Sequence, residues 1–341
     1  METKRVIVDG VTENPAFDEA VALLKAGEVV AFPTETVYGL GGIATNDAAV
    51  TAIYAAKGRP SDNPLIVHIG AFDQLERYVD NISEKAKKCM DAFWPGPLTV
   101  ICHVKPGALS EKVTAGLDTV GIRMPNHPVA LRLLRQLDEP VAAPSANTSG
   151  KPSPTEGVHV EEDLTGRIPL ILDGGATGIG VESTVIDLTL DTPTILRPGG
   201  ITKEMFEAVI GPVNEPTHIE QKAGAPKAPG MKYTHYAPDA PVLLIDNDEV
   251  AVKEALAALH ADGKKVALLA PDHFGKLEAD WFFTFGDGTH EQMAAHLYDA
   301  LRACNATNAD VVLATVTDKN DMGSAIMNRL EKSAGGHWYE G

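Results

Sequence analysis

The chain has 341 residues, 44% of them hydrophobic and 22% charged, and its 47 Asp+Glu outweigh 29 Lys+Arg to leave a formal net charge of -18. An apolar fraction of this size supports packed cores in about two domains. So acidic a surface repels a polyphosphate backbone, which excludes a dedicated, stable nucleic-acid binder but leaves room for a local basic pocket. The three cysteines, Cys89, Cys102 and Cys304, form no C-x-x-C, which excludes a disulfide scaffold or a Cys-based zinc site. No apolar run reaches the length of a signal-peptide core or a membrane span, so a reducing cytoplasm is the expected compartment and no membrane partner is expected.

From the N-terminus to about residue 210, strands alternate with helices. Val29 to Phe32 is a short apolar run ended by Pro33, and Asp47 to Lys57 has helical character with Asp47 as cap or first-turn acid. Further strands are expected at Leu65 to Ile69, Leu98 to Val104 and Thr119 to Met124. Asn126 is a candidate cap for a helix from Pro128 to Leu137, where Val129, Leu133, Leu134 and Leu137 recur at helical spacing. Val141 to Ala143, Pro169 to Leu172, Ser183 to Leu188 and Thr194 to Leu196 add short apolar or β-branched runs. Several lie too close together for intervening helices, which predicts a mixed sheet with helices packed on it.

Residues 212–241 break this rhythm with repeated Pro and Gly, and a connection of that length is expected to be functional or disordered. Its sequence Pro229-Gly230-Met231-Lys232-Tyr233-Thr234-His235-Tyr236-Ala237-Pro238 suggests a segment that docks on something. Residues 242–341 restart a β/α alternation. Strands are expected at Val242 to Ile245, Val266 to Ala270, Trp281 to Phe285 and Val311 to Ala314. Helices are expected at Glu249 to Leu259, Thr289 to Ala303 and Gly323 to Lys332, giving a small doubly wound unit. The predicted organisation is thus a catalytic domain over 1–211, a connecting segment over 212–241 and a second α/β domain over 242–341.

Familiar chemical motifs are missing. There is no G-x-x-x-x-G-K-[ST], no H-E-x-x-H and no G-x-S-x-G, and Gly39-Leu40-Gly41-Gly42 only faintly echoes a dinucleotide fingerprint. Covalent catalysis has no evident nucleophile. Polar clusters at strand ends are present instead. Pro33 to Leu40 packs hydroxyls, a carboxylate and a phenol into what reads as one turn. Lys57-Gly58-Arg59-Pro60-Ser61-Asp62-Asn63-Pro64 ends a helix and enters the strand finishing at His68; its cations are either dipole partners or a phosphate clamp. Arg123, inside an apolar strand, must be paired. It serves either a structural ion pair or a bidentate grip on a substrate carboxylate. Ala143 to Ser153 is dense in hydroxyls, and Gly180 to Thr184 and Leu196 to Gly200 add a hydroxyl pair and Arg197 beside pliable backbone. Convergence of these loops would make a cationic well within an anionic protein.

Taken together, Pro33 to Leu40, Lys57 to His68, Val120 to Pro125, Pro144 to Pro152, Gly180 to Asp187 and Leu196 to Gly199 resemble the threonylcarbamoyl-AMP synthases. The segment Pro229 to Pro238 and the second half resemble the family's two-domain form. The resemblance implies a twisted mixed α/β sheet with an open concave face, joined to a smaller Rossmann-like domain. It implies the condensation of L-threonine, bicarbonate or CO2 and ATP into threonylcarbamoyl-adenylate and pyrophosphate. The product would pass to a tRNA threonylcarbamoyl-transferase complex that modifies an adenosine beside the anticodon. Carried over by residue, L-threonine would meet Thr36, His68, Arg123, Ala143 and Ser183. ATP would meet Lys57, Arg59, Asn63, Thr119, Ser145, Asn147, Ser153, Arg197 and Tyr236, with Lys57, Arg59 and Arg123 as the catalytic cations. Mg2+ would travel with the phosphates, without an all-protein cage. Residues 229–238 are expected to cover the nucleotide.

Other readings compete. An RNA-binding module is disfavoured by the net charge and by the lack of aromatic-basic interleaving. A carbamoyl-transfer domain acting on a thiol would bring acylphosphatase-like and zinc-finger segments that this sequence lacks. A nucleotide sensor that binds ATP without turnover would show no threonine-dependent ATP consumption.

Overall fold

The computed structural model describes residues 1–215, 226–227 and 236–341. Residues 229–235, the greater part of the expected nucleotide cover, lie outside the described residues. Two compact units make up the chain. One comprises Met1–Ser149, Pro154–Gly178 and Glu182–Lys232; the other comprises Gly150–Ser153, Ile179–Val181 and Tyr233–Gly341. Two short loops inside the span 1–211, Gly150–Ser153 and Ile179–Val181, belong to the second unit, which has no counterpart in the sequence pattern.

Eleven strands among the described residues form the sheet of the first unit: β1 (Lys4–Ile7), β2 (Val30–Pro33), β3 (Tyr38–Ile43), β4 (Val67–His68), β5 (Val79–Asp80), β6 (Leu98–Val104), β7 (Thr119–Arg123), β8 (Val141–Ala142), β9 (Leu170–Asp173), β10 (Thr184–Asp187) and β11 (Thr194–Arg197). Their order is β1-β9-β2-β3-β8-β4-β7-β6-β10-β11, with β5 on β6. Parallel pairs (β4 with β7, β10 with β6) alternate with antiparallel ones (β6 with β7, β3 with β8), so the sheet is mixed as expected.

Alternation along the strands sends side chains to two cores. Val30, Phe32, Val141, Leu170 and Leu172 pack with helices Ala16–Lys25 and Pro128–Leu137 on one face. Ala31, Val67, Val100, Ile122 and Ile186 pack on the other, with Ile53 of helix Asp47–Lys57 and Met90 of helix Glu84–Phe93. On the first face the row of register partners Val141, His68, Arg123 and Thr99 runs from β8 through β4 and β7 to β6. The row begins in apolar core and turns polar at His68, which is how the fold creates a site on a sheet surface.

Both helices flanking the site keep their expected bounds, but different residues cap them. Asn46, not Asp47, accepts the amides of Ala48 and Ala49 at 2.9 and 3.3 Å, so Asp47 is a first-turn acid. Gly58 at φ +61° closes that helix and fixes Lys57 as its last residue. His127, not Asn126, caps helix Pro128–Leu137, its Nδ1 accepting from the Val129 amide at 3.2 Å. The expected strand at Leu65 to Ile69 pairs only over Val67–His68.

The second unit holds four parallel strands, β12 (Val242–Ile245), β13 (Val266–Ala270), β14 (Trp281–Thr284) and β15 (Val311–Thr315), ordered β12-β15-β13-β14. Helices Glu249–Ala261, His290–Ala303 and Gly323–Ser333 accompany them, with Val252 and Leu256 packing on Val266, Leu268 and Leu313. Thr289 becomes the cap of its helix rather than its first residue. No helix among the described residues is long and apolar enough to cross a membrane.

Candidate active site

The site starts at the turn between β2 and β3. Thr34 Oγ1 accepts the amides of Thr36 and Val37 and donates to the Val37 carbonyl at 2.7 Å, which fixes the turn. The Thr36 hydroxyl is thereby held 2.9 Å from the Thr34 hydroxyl and accepts from Arg123 Nη1 at 2.9 Å. Arg123 also donates through Nε to the Gly96 carbonyl at 3.4 Å, and its Nη2 lies 2.6 Å from Glu35 Oε1. That last contact is a charge contact whose N–H direction misses the oxygen: Nη2 and both Glu35 oxygens are buried without an aligned hydrogen-bond partner. Of the two sequence readings of Arg123, the ion pair is present, with Glu35 as partner, while Nη2 keeps no aligned hydrogen bond.

His68, register partner of Arg123, lies beside it. Its ring meets Phe32 edge-on at 6.3 Å, and its buried Nδ1 has no hydrogen-bond partner. Burial, reinforced by the charge of Arg123, pulls the imidazole down to about 3, so it is neutral near pH 7. On the other side of Arg123, its β6 register partner Thr99 shares a 2.8 Å hydrogen bond with the Ser183 hydroxyl. Arg197 donates through Nε to the Ser183 carbonyl at 3.0 Å and through Nη2 to Ser183 Oγ at 3.1 Å. Ala143 borders the same strands, its amide donating to the Ile66 carbonyl at 3.0 Å. Thr36, His68, Arg123, Ser183 and Arg197 thus form one connected buried patch with Ala143 at its border.

Gly121 sits in the middle of this face. A Cβ there would lie 2.9 Å from Thr99 Cγ2, 3.4 Å from Ile101 and 3.5 Å from Ile66. Its bareness leaves a shallow apolar floor of Ile66, Ile101 and Val185, packed by Leu196. Thr119 stands at the far end of β7, four residues from Arg123 and roughly 13 Å away along an extended strand.

A second cluster gathers around Lys57. Its buried ammonium donates to the carbonyls of Ser145 and Asn147, the latter at 2.6 Å, and its own carbonyl accepts the Ser149 amide at 2.9 Å. Lys57 therefore ties the hydroxyl-rich loop to the helix end. Arg59 lines a cavity of about 910 Å³ together with Tyr54, Asp62 and Lys112. Asn63 is buried with neither amide atom hydrogen-bonded, although its carbonyl accepts from Tyr54 at 3.0 Å. Ser153 and Tyr236 belong to the second unit. There Arg302 donates to the Pro152 carbonyl at 2.6 Å, and Tyr236 stacks on Tyr298 with centroids 5.2 Å apart.

Sequence reasoning left Glu35, Thr99 and Gly121 without a site role. The β6–β7 register brings Thr99 beside Arg123, the turn between β2 and β3 brings Glu35, and Gly121 precedes Arg123 by two residues on β7; no spacing signal encodes the first two contacts. Asp187 was likewise unassigned. It is fully buried, and its Oδ2 accepts from Lys227 of the connecting segment at 3.0 Å. Among the described residues no group of three or more His, Cys, Asp or Glu side chains converges as a metal site.

A family model described as "Telomere recombination" matches residues 22–199, and one described as "Threonylcarbamoyl-AMP synthase, C-terminal domain" matches residues 201–335. The chain is 52% identical to a threonylcarbamoyl-AMP synthase of Bacillus subtilis over 98% of this chain and 99% of that protein. It is 40% identical to one of Schizosaccharomyces pombe over 98% and 91%. It also superposes on the crystal structure of Pyrococcus abyssi Sua5 complexed with L-threonine with a TM-score of 0.93 and 45% identity, covering 98% of this chain and 99% of that one. With both halves matched in order, the chain belongs to the two-domain threonylcarbamoyl-AMP synthases and is an enzyme of that activity.

Proposed function

We propose that the chain condenses L-threonine, bicarbonate or CO2 and ATP into L-threonylcarbamoyladenylate, releasing pyrophosphate, and that the product goes to a cytoplasmic tRNA threonylcarbamoyl-transferase complex. The observation that carries this reading is the buried patch around Arg123. An unsatisfied guanidinium edge, a neutral imidazole with a bare nitrogen and a threonine hydroxyl together suit a small amino acid bearing a hydroxyl. The crystallised Pyrococcus abyssi relative is described with L-threonine, which supports the same ligand here.

Both nucleophiles would come from the substrates. The threonine amine attacks the one-carbon electrophile, and the resulting carbamate attacks the α-phosphate, so the protein needs no nucleophile of its own. Its thiols are unsuited to the task in any case: burial pushes Cys89 up to about 11 and Cys102 and Cys304 up to about 12. Catalysis then rests on alignment and charge stabilisation, together worth on the order of 10 kcal/mol. Arg123, with Thr36, His68, Ala143 and Ser183, would hold threonine. Lys57, Arg59 and Arg197 would offset charge on the departing pyrophosphate, and Asn63, Thr119, Ser145, Asn147, Ser153 and Tyr236 would position ATP. Mg2+ would arrive chelated by the phosphates and would share in offsetting their charge. Residues 1–211 would carry the chemistry and 212–241 would connect them to the second domain; the Lys227–Asp187 pair supports a connecting segment tethered to the strand next to the site.

Mass analysis of products formed from ATP, L-threonine and 13C-bicarbonate tests the reaction. A threonylcarbamoyl-adenylate one mass unit heavier than its 12C counterpart is expected. Release of AMP without a labelled adenylate would refute it.

A further inference from the structure

Arg123 reaches the site already accompanied by an anion. Glu35 Oε1 lies 2.6 Å from Nη2, and the two side chains are only 13% and 5% exposed. A ligand carrying a carboxylate alone would gain little from so compensated a cation and would be repelled by Glu35 at close range. His127, whose ring this carboxylate acts on, is held below its ordinary range by burial, so it does not neutralise Glu35 near pH 7. What the pair lacks is aligned hydrogen bonding. Nη2 has a donor to give, and both Glu35 oxygens have acceptor capacity, all away from water. An α-amino acid supplies the complement in one small molecule. Its carboxylate and ammonium hang from a single carbon, a spacing matched to two side chains in contact.

We propose that Glu35 recognises the α-ammonium group of the amino-acid substrate, so that the Glu35–Arg123 pair, and not Arg123 alone, selects an α-amino acid over other small carboxylic acids. The inference rests on the threonine reading above. The substrate carboxylate takes Arg123 Nη2, the ammonium donates to Glu35, and the neutral His68 Nδ1 stands one strand away as a further acceptor. Four alternating charges then compensate one another in a buried site, which a hydroxy acid or bicarbonate cannot reproduce. Glu35 is a specificity-determining residue in this account.

The test compares calorimetric binding of L-threonine and of 3-hydroxybutyrate, which is threonine without its amine, to the full chain and to Glu35→Gln. The wild type is expected to prefer threonine by at least about tenfold, the worth of a charged hydrogen bond. Glu35→Gln is expected to erase most of that preference by weakening threonine while leaving affinity for a non-hydrolysable ATP analogue unchanged. Glu35→Asp, which keeps the charge, should restore part of it. An equal loss for both ligands would make Glu35 a mere support for Arg123 and overturn the proposal. So would a wild type that binds the two ligands equally, a result needing no variant. A wild type that binds no threonine at all would instead sink the substrate reading itself.

Discussion

His68 and Arg123 are register partners on adjacent parallel strands, and the imidazole stays uncharged beside the guanidinium because burial and then that positive charge hold it at about 3. Its folded value lies below the ordinary one near 6.5, so the folded state takes up this proton less readily than the unfolded chain. Stability from this group is complete above about pH 6.5 and is lost as the pH falls from there toward 3, at up to roughly 1.4 kcal/mol per pH unit. Urea unfolding of wild type and His68→Gln should show the wild type losing about 2 kcal/mol more between pH 7 and pH 5. Parallel pH dependences, or a His68 resonance that titrates near 6.5, would contradict it.

Arg123→Lys keeps a charge beside Glu35 but loses the fork that serves Thr36 and Gly96 at once and that is proposed to hold the substrate carboxylate. The KM for threonine is expected to rise at least about tenfold, with little change in the KM for ATP. An unchanged threonine KM would leave Arg123 as a structural ion-pair partner only.

Lys57 is the fastening of the loop that carries Ser145 and Asn147. Lys57→Met keeps most of the apolar stem but leaves two inward-facing carbonyls without this donor. A destabilisation of about 2–4 kcal/mol is expected, read as a lowered urea midpoint with an unchanged m-value. A loss below about 0.5 kcal/mol would show that the loop is held by other contacts.

Gly121→Ala would push a methyl to within 2.9 Å of Thr99 Cγ2, and Thr99 is the hydroxyl partner of Ser183. A stability loss of about 1–3 kcal/mol is expected. Turnover should fall with it, because Ser183 in turn accepts from Arg197. Full activity in a stable variant would show that the floor can yield.

Strongly periodic segments were legible from the sequence. Helices Asp47–Lys57 and Pro128–Leu137 and strand β6 have the bounds read from their apolar spacing, and in the second unit so do β12 and β13. Strand β3 was not legible, because Gly39, Gly41 and Gly42 make it read as a loop. The structure explains one of them: a Cβ on Gly41 would lie 2.7 Å from both Phe32 and Val141. Tyr38, read as part of a polar turn, starts that strand and sends its phenol to Asp173 Oδ1 and the Gly175 carbonyl at 3.0 and 2.7 Å. The exposed edge strand β1 has no alternation to read. In the site, the residue types were legible one motif at a time, but the Arg123–Glu35 and Thr99–Ser183 contacts span 88 and 84 positions; the first needs the β2–β3 turn to reach β7, the second the β6–β10 pairing, and no local spacing encodes either.

A buried cationic patch that aligns three small reactants without a covalent enzyme intermediate can turn over only when all three are bound. Pyrophosphate release from ATP, measured with threonine and bicarbonate added separately and together, reads this out. Release is expected only when both are present. Release with either one omitted, or a stoichiometric burst that leaves an adenylylated or acylated protein, would contradict it.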